Sequence, residues 1–151
     1  MAGTIQARAS MLVHAPAGEA FKAFIDRERI CEFWLAASSG DLVEGARVKW
    51  AFLVPGARDT VEVLEIVRDT RIRFAWSGGQ QVELSFAAMD GGTRVSVVVD
   101  GIDGDDALAS VVDATEGFSI VLCDLKLLLE TGASPGLVRD KAALIAACGK
   151  D

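Results

Sequence analysis

Tyrosine is absent from this 151-residue chain, and histidine occurs once, as His14. Those gaps remove two common proton carriers of enzyme sites. A hydrolytic triad needs a base oriented by a third group. His14 shares a strand face with Gln6, Arg8 and Ser10, opposite the apolar set. It reads as a surface or strand-end histidine, and no catalytic residue is assigned. The three cysteines, Cys31, Cys123 and Cys148, form an odd set without CxxC spacing. Beside a lone histidine they make no zinc site and read as buried, inert thiols. Neither a metal nor a cofactor is expected.

No apolar run approaches the ~18 residues of a membrane span. The most apolar stretch, "SIVLCDLKLLLE", is broken by Asp124 and Lys126, and "MAGTIQARAS" lacks the apolar core of a signal segment. A cytoplasmic protein without a membrane partner is expected. Positive charge is also scarce, with 15 Lys and Arg against 22 Asp and Glu and a net charge of −7. The bases are scattered, which excludes the clustered cations that nucleic-acid binding needs. No phosphate-binding loop is found, and the pairs Gly78-Gly79 and Gly91-Gly92 read as hairpin turns. Internal repeats and low-complexity segments are missing too.

What is present is a chain 51% hydrophobic, long enough to bury roughly 68–70% of its unfolded surface in one domain. "TIQARASMLVH" alternates Ile5, Ala7, Ala9, Met11 and Val13 against polar positions and predicts a strand. Pro16 suits a first helical turn. "AGEAFKAFI" and "RERICEFWL" predict two short helices, the second capped by Asp26. After the polar loop "ASSGD", five strands are predicted: "RVKWAFLV", "TVEVLEIV", "RIRFAWS", "QVELSFAAM" and "TRVSVVVDGI". Their short connections imply an antiparallel meander. An odd-numbered loop such as Gly78-Gly79-Gln80 would set Ile72, Phe74 and Trp76 across from Val82, Leu84 and Phe86. A two-residue Gly91-Gly92 turn would match Phe86 with Val97. A long helix over 105–130 follows. Val111, Thr115, Phe118, Leu122, Leu125 and Leu129 make its apolar stripe, and Asp113, Glu116, Asp124 and Lys126 keep the other side wet. Gly132 is a natural C-cap.

The order predicts an α+β fold: a curved six-stranded antiparallel sheet wrapped on a long C-terminal helix, with two short helices closing one end. The adjacent rings Phe33 and Trp34 then sit where a short helix caps the gap between sheet and helix. One ring can fill the core while the other lines what is left open. Residues 1–132 form this domain. Residues 133–151, "ASPGLVRDKAALIAACGKD", hold an extension with a short amphipathic helix through Leu137, Lys141, Leu144, Ile145 and Cys148.

Several segments in this order are similar to one family. "VHAPAGEAFKAF" looks like its strand-end opening, and Phe33-Trp34 stands where a Trp pair is usual. "VLEIVRDTRIRFAW", "DGGTRVSVVVDG" and "GFSIVLCDLKLLLETG" look like its central strands, hairpin and final helix. The chain thus resembles the helix-grip fold of the START and polyketide-cyclase-like (SRPBCC) superfamily, in the branch named after the activator of heat-shock-protein-90 ATPase. The usual prolines after "LEI" are replaced by Arg68 and Asp69, the helix Trp by Phe118, and one paired Trp by Phe33. The resemblance spans about residues 5–132. It implies a cavity for a small hydrophobic molecule but fixes no reaction.

The aromatic set Trp34, Trp50, Phe52, Trp76, Phe86 and Phe118 can line that cavity or simply pack the core; Val97 and Leu122 join it on the same inward faces. "TVEVLEIV" adds a possible polar anchor. Its two parities place either Glu65 or Glu62 inward, and an Asp69-Thr70 turn would set Glu65 across from Phe74. An unpaired carboxylate there would have a raised pKa; near the sheet edge it would instead reach water or an arginine. The first reading is a non-catalytic binder of a small hydrophobic or aromatic molecule, monomeric or homodimeric. The alternatives are a chaperone-regulating or other protein-interaction module, and a cyclase or lyase using a cavity glutamate.

Overall fold

The computed structural model describes residues 5–148; Thr4, the start of the first predicted strand, and 149–151 of the extension lie outside the described residues. β1 (Ile5–Val13) leads into α1 (Ala17–Ile25) and α2 (Arg27–Phe33). Then come β2 (Leu35–Ser38), β3 (Arg47–Phe52), β4 (Arg58–Val67), β5 (Arg71–Ala75), β6 (Gln81–Met89) and β7 (Gly92–Ile102). α3 (Ala107–Thr131) and α4 (Leu137–Cys148) follow. The seven strands form one antiparallel sheet in the order β1-β7-β6-β5-β4-β3-β2.

The sheet therefore has seven strands rather than six. The added one, β2, occupies part of the segment read as a polar loop. Its "LAAS" is short and poor in β-branched residues, so it carries little alternation signal. It forms because the chain leaving α2 lies against β3, pairing Leu35 with Phe52 and Ser38 with Trp50.

Local chemistry sets the ends of the elements. Asp26 caps α2, its carboxylate accepting from the N–H groups of Glu28 at 2.8 Å and Arg29 at 3.2 Å. Those bonds hold its carboxyl below the ordinary value. Gly132 ends α3 in the left-handed conformation at φ 88°. The β6–β7 turn is Asp90-Gly91 rather than Gly91-Gly92, since Met89 pairs with Gly92. Phe86 consequently faces Val95, and Val97 faces Leu84. The slip is two residues, so every side chain keeps its predicted face. Gly92 has a steric reason of its own, because a Cβ there would collide with the Val13 carbonyl oxygen.

One continuous core joins the inner sheet face, α1, α2 and α3. From the sheet come Val48, Trp50, Val61, Val63, Ile72 and Phe74, all nearly inaccessible to solvent. From α3 come Phe118, Val121, Leu122, Leu125 and Leu128. α3 packs chiefly on β1 and β7, at one side of the sheet. Lys126 ties it there, donating to the Leu12 carbonyl at 2.8 Å and to Glu130 at 2.7 Å. Glu130 in turn accepts the His14 N–H at 2.7 Å. The β3–β5 side is left to α2, α4 and the cleft described next.

Asp124 does not face water as its helical position predicts; it is fully buried. Its carboxylate accepts the Ser134 hydroxyl at 2.6 Å and the first backbone N–H of α4, at Leu137, at 2.8 Å. This carboxylate holds the start of α4 against α3. Farther along, Lys141 pairs with Glu116 at 3.2 Å. Higher numbers on α4 thus meet lower numbers on α3, and the two helices run antiparallel. The cysteines are less buried than expected: Cys31 and Cys123 are half-buried, and Cys148 is exposed. Desolvation raises the pKa of Cys31.

Candidate functional site

An apolar cleft of about 620 Å³ opens between the β3–β4 hairpin, α3 and α4, within the roughly 300–1,000 Å³ usual for small-molecule sites. Four rings form its deep wall: Trp34, Phe52, Trp76 and Phe118. Each has a different local origin. Trp34 is the C-cap of α2, where the chain leaves helical geometry at φ −130° and ψ −55°. Phe52 closes β3, Trp76 follows the last residue of β5, and Phe118 projects from the middle of α3.

The rings touch in pairs, Trp34 with Phe118 edge to face and Phe52 with Trp76 tilted. Trp34 and Phe118 have centroids 5.6 Å apart, and Phe52 and Trp76 5.9 Å. Trp50, 1% exposed, lies behind them, 5.1 Å from Trp34 and 5.7 Å from Trp76. Its buried Nε1 has no hydrogen-bond acceptor among the described residues. Phe33 turns the other way into the core, 5.2 Å from Phe24. The two rings at the end of α2 thus divide: Phe33 fills and Trp34 lines.

The other walls are largely aliphatic and carry the charged residues of the lining. The hairpin contributes Leu53, Val54 and Ala57, ending at Arg58 and Asp59. α3 contributes Ala114, Gly117, Ile120 and Val121, and α4 contributes Val138, Lys141, Ala142 and Ile145. None of the α4 or hairpin-tip residues was predicted as a ligand residue, although Lys141 and Ile145 belong to the amphipathic pattern of α4. The amphipathic pattern of α4 was legible, but which face meets the cleft depends on the buried carboxylate of Asp124, which reads as a surface charge.

Of the predicted ligand residues, Trp34, Phe52, Trp76 and Phe118 meet at the cleft. Trp50, Phe86, Val97 and Leu122 are packed in the core instead. Phe86 packs against Phe21 and Phe24 at 5.8 and 6.0 Å, under the part of the sheet that α1 covers. The cleft is therefore displaced toward β3–β5 from the centre of the sheet.

Glu65 is not in the cleft. Arg71 donates to it through Nε at 3.0 Å and Nη2 at 3.3 Å, and Arg73 Nη1 stands 3.7 Å away. These partners, the Arg71 hydrogen bond first, hold its carboxyl below the ordinary value, opposite to the rise expected of a cavity carboxylate. The physical reason is a register shift. Val63 pairs with Phe74, yet Glu65 pairs with Arg73, so Leu64 is an extra residue on β4. Val61 and Val63 face inward before it and Ile66 pairs with Ile72 after it, which turns both Glu62 and Glu65 outward. The connecting loop also has three residues, 68–70, with Asp69 at φ 61°, rather than the two-residue Asp69-Thr70 turn. His14 lies at the opposite end of β1, its Nδ1 3.1 Å from the Gly91 carbonyl oxygen. No group of His, Cys, Asp and Glu able to hold a metal ion occurs among the described residues, and no helix among them is long and apolar enough to cross a membrane.

A long C-terminal helix laid on an antiparallel sheet, with an apolar cleft beside it, defines a helix-grip protein. The chain belongs to the Activator of Hsp90 ATPase homolog 1-like protein family, whose sequence profile matches residues 14–130. It is similar to protein SSP2350 from Staphylococcus saprophyticus, at 25% identity and a TM-score of 0.78 over 86% of this chain and 95% of that one. The Aha1 dimer from Colwellia psychrerythraea shares the fold at 17% identity and a TM-score of 0.75, covering 85% of this chain and 98% of that one. CalU16 from Micromonospora echinospora does so at 19% identity and 0.67, covering 95% and 94%. No curated protein sequence matches the chain.

Proposed function

We propose that the protein binds a small hydrophobic, aromatic molecule in the cleft between the β3–β4 hairpin, α3 and α4, without transforming it. The observation that carries this reading is Gly117. It stands in the interior of α3, where glycine costs about 0.5–1 kcal/mol relative to alanine. Nothing local demands it: a Cβ there would meet no atom within 4 Å beyond the helix's own backbone. What the missing side chain leaves is room in the cleft beside Phe118. The aromatic rings around that room favour a flat aromatic occupant. A proton-transferring role for Glu65 or Glu62 loses its residue, since both lie on the outer face.

The test uses N-phenyl-1-naphthylamine, a neutral aromatic probe that brightens on leaving water. Binding is expected to saturate at one probe per chain, with energy transfer from tryptophan. Gly117→Leu should weaken it by about fivefold or more, the factor that corresponds to a cost of about 1–3 kcal/mol for overfilling the space. Gly117→Ala should stabilise the fold by about 0.4–1 kcal/mol in denaturant titration. Non-saturating binding, or binding indifferent to Gly117→Leu, would remove the cleft as the site.

A further inference from the structure

We infer that the molecule held in the cleft carries a positively charged nitrogen, an amine or quaternary ammonium attached to its aromatic body, received by the Asp59 carboxylate beside Trp76. This rests on the cleft being a small-molecule site and adds the ligand's charge to that reading.

The placement of Asp59 follows from register. It is the second residue of β4 and stands opposite Trp50, and side chains directly opposite one another share a face. Exposure along the strand agrees: Arg58, Thr60 and Glu62 are exposed, Asp59 is half-buried, and Val61 and Val63 are buried. Asp59 is therefore on the inner face of the sheet, while Arg58 points outward with Glu62. The carboxylate is tied to the cleft wall at a second point. Its Oδ2 accepts the N–H of Ser77, the residue after Trp76, at 3.3 Å, and Oδ1 accepts the Thr60 N–H at 2.8 Å. Phe52, two residues along β3 from Trp50, shares that inner face, and its ring lies 5.9 Å from Trp76. All three side chains, Asp59, Phe52 and Trp76, belong to residues that line the cleft.

The charges of the lining are not equally answered by the chain itself. Lys141 on the α4 wall is paired with Glu116 at 3.2 Å. Asp59 has no ion-pair partner among the described residues. The two backbone N–H groups give it hydrogen bonds but no net charge, and a carboxylate with two of its roughly four acceptor sites taken has room for further donors. The cleft thus contains a carboxylate whose countercharge the chain does not supply. The rings around it call for the same ligand. Aromatic faces carry partial negative charge, and a cation within about 6 Å of a ring centroid is attracted, most strongly by tryptophan. Beside an apolar wall both attractions act in a lower dielectric than open water. A neutral aromatic molecule would bury its rings equally well but leave Asp59 without a countercharge. An anionic one would meet a like charge there, and the net charge of −7 favours cations at longer range as well.

The experiment compares two molecules of one shape, benzyltrimethylammonium and neopentylbenzene, which differ by a charged nitrogen in place of a carbon. Each competes with N-phenyl-1-naphthylamine for the full chain and for Asp59→Asn, at low and high salt. In the unaltered protein the ammonium compound should displace the probe and lose affinity as salt rises, while neopentylbenzene does not lose affinity. Asp59→Asn keeps a side-chain acceptor and removes the charge. It should lower the ratio of ammonium to neutral affinity by about threefold or more, the range of a partly exposed charge pair. Far-UV circular dichroism establishes that the variant is folded, and the salt dependence of the unaltered protein tests the inference without it. No displacement by the ammonium compound, affinity indifferent to salt, or a ratio unchanged by Asp59→Asn overturns the inference, while saturable binding of the probe leaves the cleft a ligand site. Failure of the probe itself to bind overturns both readings.

Discussion

Glu65 shows how one side chain's neighbours decide its chemistry. Held by Arg71 and approached by Arg73, its carboxyl ionises below the ordinary value of 4.5. A depressed folded-state pKa gives stability that is complete above the unfolded value and is lost as pH falls through the folded one. The stability advantage of the native protein over Glu65→Gln should therefore be present at neutral pH and fade below about pH 4.5. Denaturation midpoints of both proteins at pH 7 and pH 3 measure it. A constant difference, or an NMR titration of Glu65 at or above the ordinary value, would break the assignment. The outward turn itself was not legible because period-2 alternation presumes an unbroken strand. "TVEVLEIV" contains nothing that marks Leu64 as the extra residue, whereas Asp26 and Gly132 announce their capping roles by residue type and position.

Between elements, Asp124 performs the least expected task. Spacing places it among polar positions of α3, yet it is the buried acceptor that docks α4 through Ser134 and Leu137. Replacing it with alanine leaves the Leu137 N–H without its partner and should cost about 1–3 kcal/mol. Because α4 forms one wall of the cleft, the same change should weaken N-phenyl-1-naphthylamine binding. Hydrogen exchange should show faster exchange over Leu137–Cys148 than in the native protein; unchanged protection there would mean that α4 is held by other contacts. Leu122, fully buried on α3, is a more conventional case: Leu122→Ala should lose about 2–5 kcal/mol. A loss under about 0.5 kcal/mol, typical of surface sites, would contradict its burial. That stripe was legible because i, i+4, i+7 spacing is a property of the helix alone.

At the scale of the molecule, the three tryptophans, Trp34, Trp50 and Trp76, lie in one aromatic cluster at the cleft, while α1 and the β1–β7 half of the sheet contain none. With one continuous core, tryptophan emission and far-UV circular dichroism should report the same midpoint in urea. An earlier fluorescence transition would show that the cleft end opens by itself. The sequence by itself determined the order of elements, the α+β class, the inward face of almost every strand, the cap residues and the aromatic supply, because each follows from local periodicity or from the backbone preference of a residue. It also carried the family, through motifs strung along the chain in order. Only the tertiary structure decided that "LAAS" is an edge strand, that the extra residue Leu64 turns Glu65 to the same outer face as Glu62, and that Asp124 is an internal anchor. Those outcomes depend on which segments meet across tens of residues, and neither a bulge, an edge pairing nor a buried carboxylate leaves a mark in the local pattern of the segment that contains it.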